Sequence, residues 1–258
     1  MIMIKFKKVE SVGKIILDRP EKYNSFVREM ALMLQKTLHE CANDASIRCI
    51  MITGSEKAFS AGQDLQEATD SNGPSIDIII KEHYNPIVSL IREIKKPIIA
   101  AVNGVAAGAG ANIALACDIV VAKQSAKFIQ AFSKIGLVPD SGGTYFLPRL
   151  IGWQKASAIM MTGESIDAEN AEKMGMIYKM YPDSEFEIQS MELAKTMSQM
   201  PTKGLGLTKE LLNATFNNSL EEQLILEEQN QILSSQSEDY TEGVNAFLQK
   251  RNPKFSGK

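Results

Sequence analysis

The sequence predicts an α/β fold whose sheet is mostly parallel and covered on both faces. Two apolar runs, residues 48–54 (RCIMITG) and 97–102 (PIIAAV), are continuous rather than alternating, as strands buried on both sides require. Helical periodicity alternates with such runs over the first two-thirds of the chain, the pattern of stacked βαβ units with right-handed crossovers. Beyond Gly142 strand signals nearly stop, so the C-terminal part is expected to be helical.

In order along the chain, residues 2–9 alternate apolar and charged and read as a half-exposed strand. Residues 13–18 form a second strand, stopped by Arg19 and Pro20. Asn24 or Ser25 is expected to cap a helix with the apolar face Val27, Met30, Ala31, Leu34, Leu38 and Ala42. The strand at 48–54 leads into a loop whose small residues Ser60, Ala61 and Gly62 admit a ligand close to the main chain. Residues 71–74 form a loop, and 77–94 a helix interrupted or kinked near Pro86. The strand at 97–102 turns at Asn103 and Gly104 into a helix of very small residues, 108–116. Short strands follow at 119–122 and 126–129.

Helices are expected at 154–162 and at 167–174, the latter capped by Asp167 and ended by Gly175. A last short strand covers 177–180. Helices at 184–200, 204–216, 219–233 and 238–250 close the chain, with Ser219 and Glu222 spaced as a capping box. The division expected is an α/β core over residues 1–195 and a helical region over 196–258. Tyr240, Val244, Phe247 and Leu248 leave an apolar stripe for the core or another subunit to cover.

Composition bounds the function. The 258 residues are 44% hydrophobic and 23% charged with a net charge of −3, ordinary globular values that disfavour a nucleic-acid partner. Cys41, Cys49 and Cys117 form no CxxC pair and read as buried free thiols in a reduced compartment. His39 and His83 lack metal-ligand spacing, so neither a metal site nor a Ser-His-Asp triad is expected. The opening MIMIKFKKVE is not a signal peptide, and the apolar runs are too short to span a membrane. A cytoplasmic protein is expected.

Two segments place small residues where backbone amides could meet a ligand oxygen, FSAGQD (residues 59–64) and AGAGA (residues 107–111). Taken singly, each also reads as a tight turn with close helix packing. Two converging amides would form an oxyanion hole, in which each donor is worth about 3 kcal/mol of barrier. Asp140 lies in GLVPDSGG, where it is either a helix N-cap or an acid–base group.

Four segments in order, RPEKYNSF, FSAGQDL, NGVAAGAGANIALACDI and FSKIGLVPDSGGTYFLPRLIG, resemble the crotonase (enoyl-CoA hydratase/isomerase) superfamily. EGVNAFLQKRNPKF near the end extends the likeness over nearly the whole chain. The resemblance implies a ββα spiral core, a helical trimerisation region, a trimer or dimer of trimers, and an acyl-CoA substrate. Coenzyme A would belong to that substrate, with no separate cofactor. It assigns the thioester-binding amides to Ala61 and Ala109. Lys22, Tyr23, Gln63, Asp64 and Leu65 would contact the substrate, and Phe247 and Lys250 a neighbouring subunit's ligand. A solvated surface role fits Lys22 and Lys250 equally.

Hydratases of the superfamily carry two glutamates, and those positions here are Asn112 and Phe132. Neither side chain is a general base, so hydration looks impaired. Asp140 corresponds to a position that faces the acyl group in several isomerases. The apolar residues Phe132, Ile135, Leu137 and Val138 are expected to wall it and raise its pKa. Narrower segments, VNGVAAGAGA, AFSKIGLVPDSGGT and NPKFSGK, are similar to members that isomerise aryl ring-epoxide acyl-CoAs and shift double bonds. Enoyl-CoA hydration or 3-enoyl isomerisation is the alternative, and a non-catalytic acyl-CoA-binding role a third. A nucleophilic Asp140, as in dehalogenating relatives, would need a His at Asn85 and a Trp at Phe132.

Overall fold

The computed structural model describes residues 2–258. Strands β1 (Ile4–Val9) and β2 (Val12–Leu17) form an antiparallel hairpin, followed by α1 (Arg28–Asn43). The strand–strand–helix units come next: β3 (Cys49–Gly54), β4 (Ala58–Ser60) and the short α2 (Leu65–Thr69). A single turn α3 (Ile76–Ile78), a π-helical stretch Ile79–Tyr84 and α4 (Asn85–Glu93) run on without a break. The second unit is β5 (Ile98–Val102), β6 (Val105–Ala107) and α5 (Ala109–Leu115). The third is β7 (Ile119–Lys123), β8 (Lys127–Ile129), a 3-10 turn Ala131–Ile135 and α6 (Gly143–Ile151). Then come α7 (Trp153–Thr162), β9 (Ser165–Asp167), α8 (Ala168–Lys173) and β10 (Lys179–Tyr181). Helices α9 (Phe186–Gln199), α10 (Thr202–Ala214), α11 (Leu220–Ser235) and α12 (Glu238–Leu248) end the chain.

Each ββα unit sends its first strand to one sheet and its second to another. The larger sheet has the order β1-β2-β3-β5-β7-β10 and is parallel from β2 onward; the smaller is β4-β6-β8-β9. This is the expected spiral. The continuous apolar strands are buried on both faces, between a core under α1, α4 and α5 and a second cluster under α9. The turn between the sheets needs Gly104, because a Cβ there would lie 2.1 Å from the Lys57 carbonyl oxygen. The Asn103 side chain ties adjacent units, its Oδ1 accepting from the Gly54 amide at 2.9 Å and its Nδ2 donating to the Ala58 carbonyl at 3.1 Å.

The expected cap of α1 is corrected. Asn24 is fully buried, donates to the Ser55 and Ala58 carbonyls and accepts from the Arg19 amide. The helix starts only at Arg28, after Val27, and its open Arg28 amide is met by the Glu67 carboxylate at 2.9 and 3.2 Å. A tertiary acceptor therefore does the work expected of a local one. The interruption expected near Pro86 takes the form of a change of helix type, the π-helical stretch, and Pro86 itself sits in the first turn of α4. The capping box at Ser219 and Glu222 and the Asp167 cap are both present.

The boundary drawn after residue 195 falls inside α9, which packs on β2, β3 and β7. Helix α10 is fastened to the core by Lys209, whose ammonium donates to Asp118 at 2.8 Å and to the Ile91 carbonyl at 2.6 Å. Asp118 also accepts from Arg92 at 3.1 Å and from the Ile98 amide at 2.8 Å. The stripe on α12 stays uncovered within one chain, Phe247 being 83% exposed. No helix among the described residues is long and apolar enough to cross a membrane.

Candidate active site

The small-residue turn after β4 and the start of α5 are in direct contact. A Cβ on Gly110 would lie 2.4 Å from the Ser60 carbonyl oxygen, and one on Gly62 would lie 3.2 Å from the Ala109 nitrogen. Only glycine allows this approach. Gly110→Ala is therefore expected to push α5 off the turn and destabilise the chain by more than about 2 kcal/mol. A melting temperature within a degree of wild type would contradict this.

The two amides expected to bind a thioester oxygen differ. The Ala109 amide has no backbone or side-chain acceptor among the described residues, and Ala109 itself is buried. The Ala61 amide already donates to the Tyr23 carbonyl at 2.9 Å. An oxygen at Ala61 would have to share that hydrogen or displace Tyr23, a residue held at positive φ. The Phe132 ring lies over Gly108, its nearest atom 3.8 Å from where a Cβ would stand.

Asn112, one turn along α5 from Ala109, is fully buried. Its Nδ2 donates to the Asp140 carbonyl at 2.9 Å, and its Oδ1 accepts from Gln130 at 2.7 Å. The Gly143 amide also donates to the Asp140 carbonyl at 2.9 Å. The N-cap of α6 is Gly142, so the Asp140 carboxylate is not spent on capping. The carboxylate accepts from the neighbouring Ser141 hydroxyl at 2.8 Å. Burial raises the Asp140 pKa above the ordinary carboxylate value, opposed by the Ser141 hydrogen bond.

The apolar wall is corrected in part. Phe132 is buried, but Ile135, Leu137 and Val138 are exposed, Val138 by 81%. The 3-10 turn ending at Gly136, in the left-handed region, swings them outward. The desolvation of Asp140 therefore does not depend on all of the predicted wall.

Gln63 is half-buried and held by the Tyr84 hydroxyl at 2.8 Å and by Glu67 at 2.9 Å. Asp64 turns inward, pairing with Arg19 at 2.6 Å and capping α2 through the Gln66 amide at 2.8 Å. Burial raises its pKa, but Arg19 and the Gln66 amide outweigh this and hold it below the usual range. Lys22, Tyr23 and Leu65 form an exposed rim, with Lys22 bonded to Gln66 at 2.9 Å. Phe247 lies at the end of α12 and Lys250 just past it, and both are exposed. A cavity of about 600 Å³ between α6 and α10, lined by Arg92, Tyr145, Arg149 and Asn213, is separate from Asp140.

The sequence matches the family described as enoyl-CoA hydratase/isomerase over residues 7–258. The chain belongs to the enoyl-CoA hydratase/isomerase, or crotonase, family. It is 45% identical over 252 residues to the 1,2-epoxyphenylacetyl-CoA isomerase of Escherichia coli K12, covering 96% of each chain. It is 42% identical to a probable enoyl-CoA hydratase of Rhodobacter capsulatus, covering 99% of this chain and 98% of the relative. An enoyl-CoA hydratase structure from Geobacillus kaustophilus superposes with a TM-score of 0.92 at 32% identity, over 100% of this chain and 99% of the other.

Within the crotonase family frame, three residues escaped the sequence reading. None of Gln130, Tyr84 and Glu67 stands in a motif; Gln130 and Tyr84 reach the site through tertiary contacts, and Glu67 meets Gln63 from four residues along the chain. His83, beside the slot a dehalogenase would need, is fully buried with Nε2 3.2 Å from the Arg28 guanidinium. Burial, then the Arg28 charge, lowers its pKa. The three thiols are buried, with burial raising Cys41 to about 11 and Cys49 and Cys117 to about 12.

Proposed function

We propose that this crotonase-family enzyme is an acyl-CoA isomerase in which Asp140 is the single general acid–base. The observation that carries this is the pairing of Asp140 with Asn112. In the first glutamate position stands an amide already bonded to Gln130 and to the Asp140 carbonyl, and in the second a phenyl ring. Neither can activate water, whereas a desolvated carboxylate can take a proton from carbon and return it elsewhere.

The thioester oxygen would sit on the Ala109 amide, with Ala61 sharing its hydrogen in a three-centre bond. Charge moving onto that oxygen as Asp140 removes a proton is what these donors stabilise. Lys22, Tyr23, Gln63 and Leu65 would line the path of coenzyme A, and Asp64 would act through the turn it holds. Phe247 and Lys250 would serve a neighbouring subunit's ligand in a cytoplasmic trimer or dimer of trimers. The relative named a 1,2-epoxyphenylacetyl-CoA isomerase favours the ring epoxide and its seven-membered oxepin isomer as substrate and product, a step of phenylacetate breakdown. The relative named a probable enoyl-CoA hydratase keeps hydration as the second reading.

The test presents the ring epoxide, a straight-chain 3-enoyl-CoA and a 2-enoyl-CoA side by side in deuterated water. Isomerisation and deuterium uptake that disappear in Asp140→Ala support the proposal. Steady hydration of the 2-enoyl-CoA without isomerisation would refute it, and binding without turnover would point to a non-catalytic role.

A further inference from the structure

Tyr84 is among the largest fully buried side chains, yet no motif contains it. It ends the π-helical stretch Ile79–Tyr84, and such irregular turns recur where a side chain is aimed at a functional site. Its ring meets Phe26 edge-on at 6.0 Å, and its hydroxyl donates to Gln63 Oε1 at 2.8 Å. Phe26 and Gln63 are themselves the two partners of an isolated parallel bridge. That bridge is closed by the Phe26 amide on the Gly62 carbonyl at 2.7 Å and the Asp64 amide on the Phe26 carbonyl at 2.8 Å. Tyr84 thus grips both sides of the bridge that fixes the turn lying against Ala109. Burial, with the Asp140 and Glu67 charges added, keeps its phenol protonated and so a donor.

We propose that Tyr84 is a positioning residue for the isomerisation, holding Gln63 and through it the turn that faces the Ala109 amide. This rests on the function proposed above. The Gln63 amide group is spanned by two donor–acceptor contacts, Tyr84 on its oxygen and Glu67 on its nitrogen, so its rotation is fixed. Glu67 also closes the start of α1. The turn, α1 and the π-helical stretch are therefore joined through one side-chain network, in which removing one member affects the others.

The experiment compares Tyr84→Phe, Gln63→Leu and the double variant with wild type, using a 3-enoyl-CoA as substrate. Phe keeps the ring and its contact with Phe26. Loss of one neutral hydrogen bond is expected to lower kcat about five- to ten-fold with KM changed less than about two-fold. The double variant should be no slower than the slower single one. Unchanged kcat, a change confined to KM, or losses that multiply would overturn the proposal. If Tyr84→Phe fails to fold, Gln63→Leu is read by amide exchange at Phe26 and Asp64 rather than by KM, because Gln63 also lines the proposed coenzyme A path. Amide hydrogen exchange supplies a readout without turnover. Faster exchange at Phe26 and Asp64 in Tyr84→Phe supports the role, and unchanged exchange there overturns it. An inactive wild type with that exchange change would count against the isomerase reading alone.

Discussion

Asp140→Asn is expected to slow isomerisation by about 100- to 10,000-fold, the range for loss of a general acid–base. Asn keeps the size of the side chain and can still accept from the Ser141 hydroxyl, so the loss reports proton transfer rather than collapse of the turn. In wild type the acid limb of the kcat/KM profile should lie above the ordinary carboxylate range, because burial raises the Asp140 pKa. The same shift predicts a stability effect. A raised folded-state pKa means that the native chain holds this proton more tightly than the unfolded chain. The stability contributed is full below the unfolded pKa and is lost as pH rises through the folded one. Asn mimics the protonated form, so Asp140→Asn should melt higher than wild type near neutral pH, by roughly 1–3 °C. That gap should close as pH falls below the carboxylate range. A variant that retains wild-type rate, or a melting difference equal at both ends of the pH range, would contradict this account.

Lys209→Met should cost about 3 kcal/mol of stability, although Lys209 lies outside the Asp140 cluster. Its ammonium is buried, which lowers its pKa, and the Asp118 carboxylate works against that shift. Met fills the space of the stem but leaves the Ile91 carbonyl without its donor and Asp118 with Arg92 and the Ile98 amide alone. Breaking a buried pair costs more than the pair is worth, because a charge remains without its partner. Adding Asp118→Asn should therefore recover part of the loss. Urea unfolding measures both, and a loss under about 1 kcal/mol for the single variant would show that Arg92 alone suffices. The consequence should be felt first where α10 meets α4 and β5, since Lys209 joins those elements.

Much of the fold was legible because its signals are local. Continuous apolar strands, periodic helices and the Ser219 and Asp167 caps depend on residues within one or two turns, and each is present. The short strands β4, β6 and β9 were not, because their residues lie in segments that read as loop or helix start and take their conformation from the neighbouring sheet. Helix α6 was legible only as a helix fed by the glycine-rich turn at Asp140, without bounds, since Gly142 and Gly143 at its start and Pro148 within it read as breakers.

By itself the sequence determined the family, the spiral of α/β units, and the absence of a carboxylate from both glutamate positions. The motifs carry the family, and the spiral and the two glutamate positions are what that resemblance implies; residue identity alone then puts an amide and a phenyl ring at Asn112 and Phe132. Only the tertiary structure decided how the groups are used. It showed the Ala61 amide engaged by Tyr23, the Ala109 amide free, Ile135, Leu137 and Val138 turned to solvent, and Asp64 spent on Arg19. It also brought Gln130 to Asn112 and Tyr84 to Gln63 across 18 and 21 residues of sequence, and Glu67 to the start of α1 across 39. Whether a polar group is available for chemistry depends on its hydrogen-bond partners, and in a buried site those partners come from distant segments.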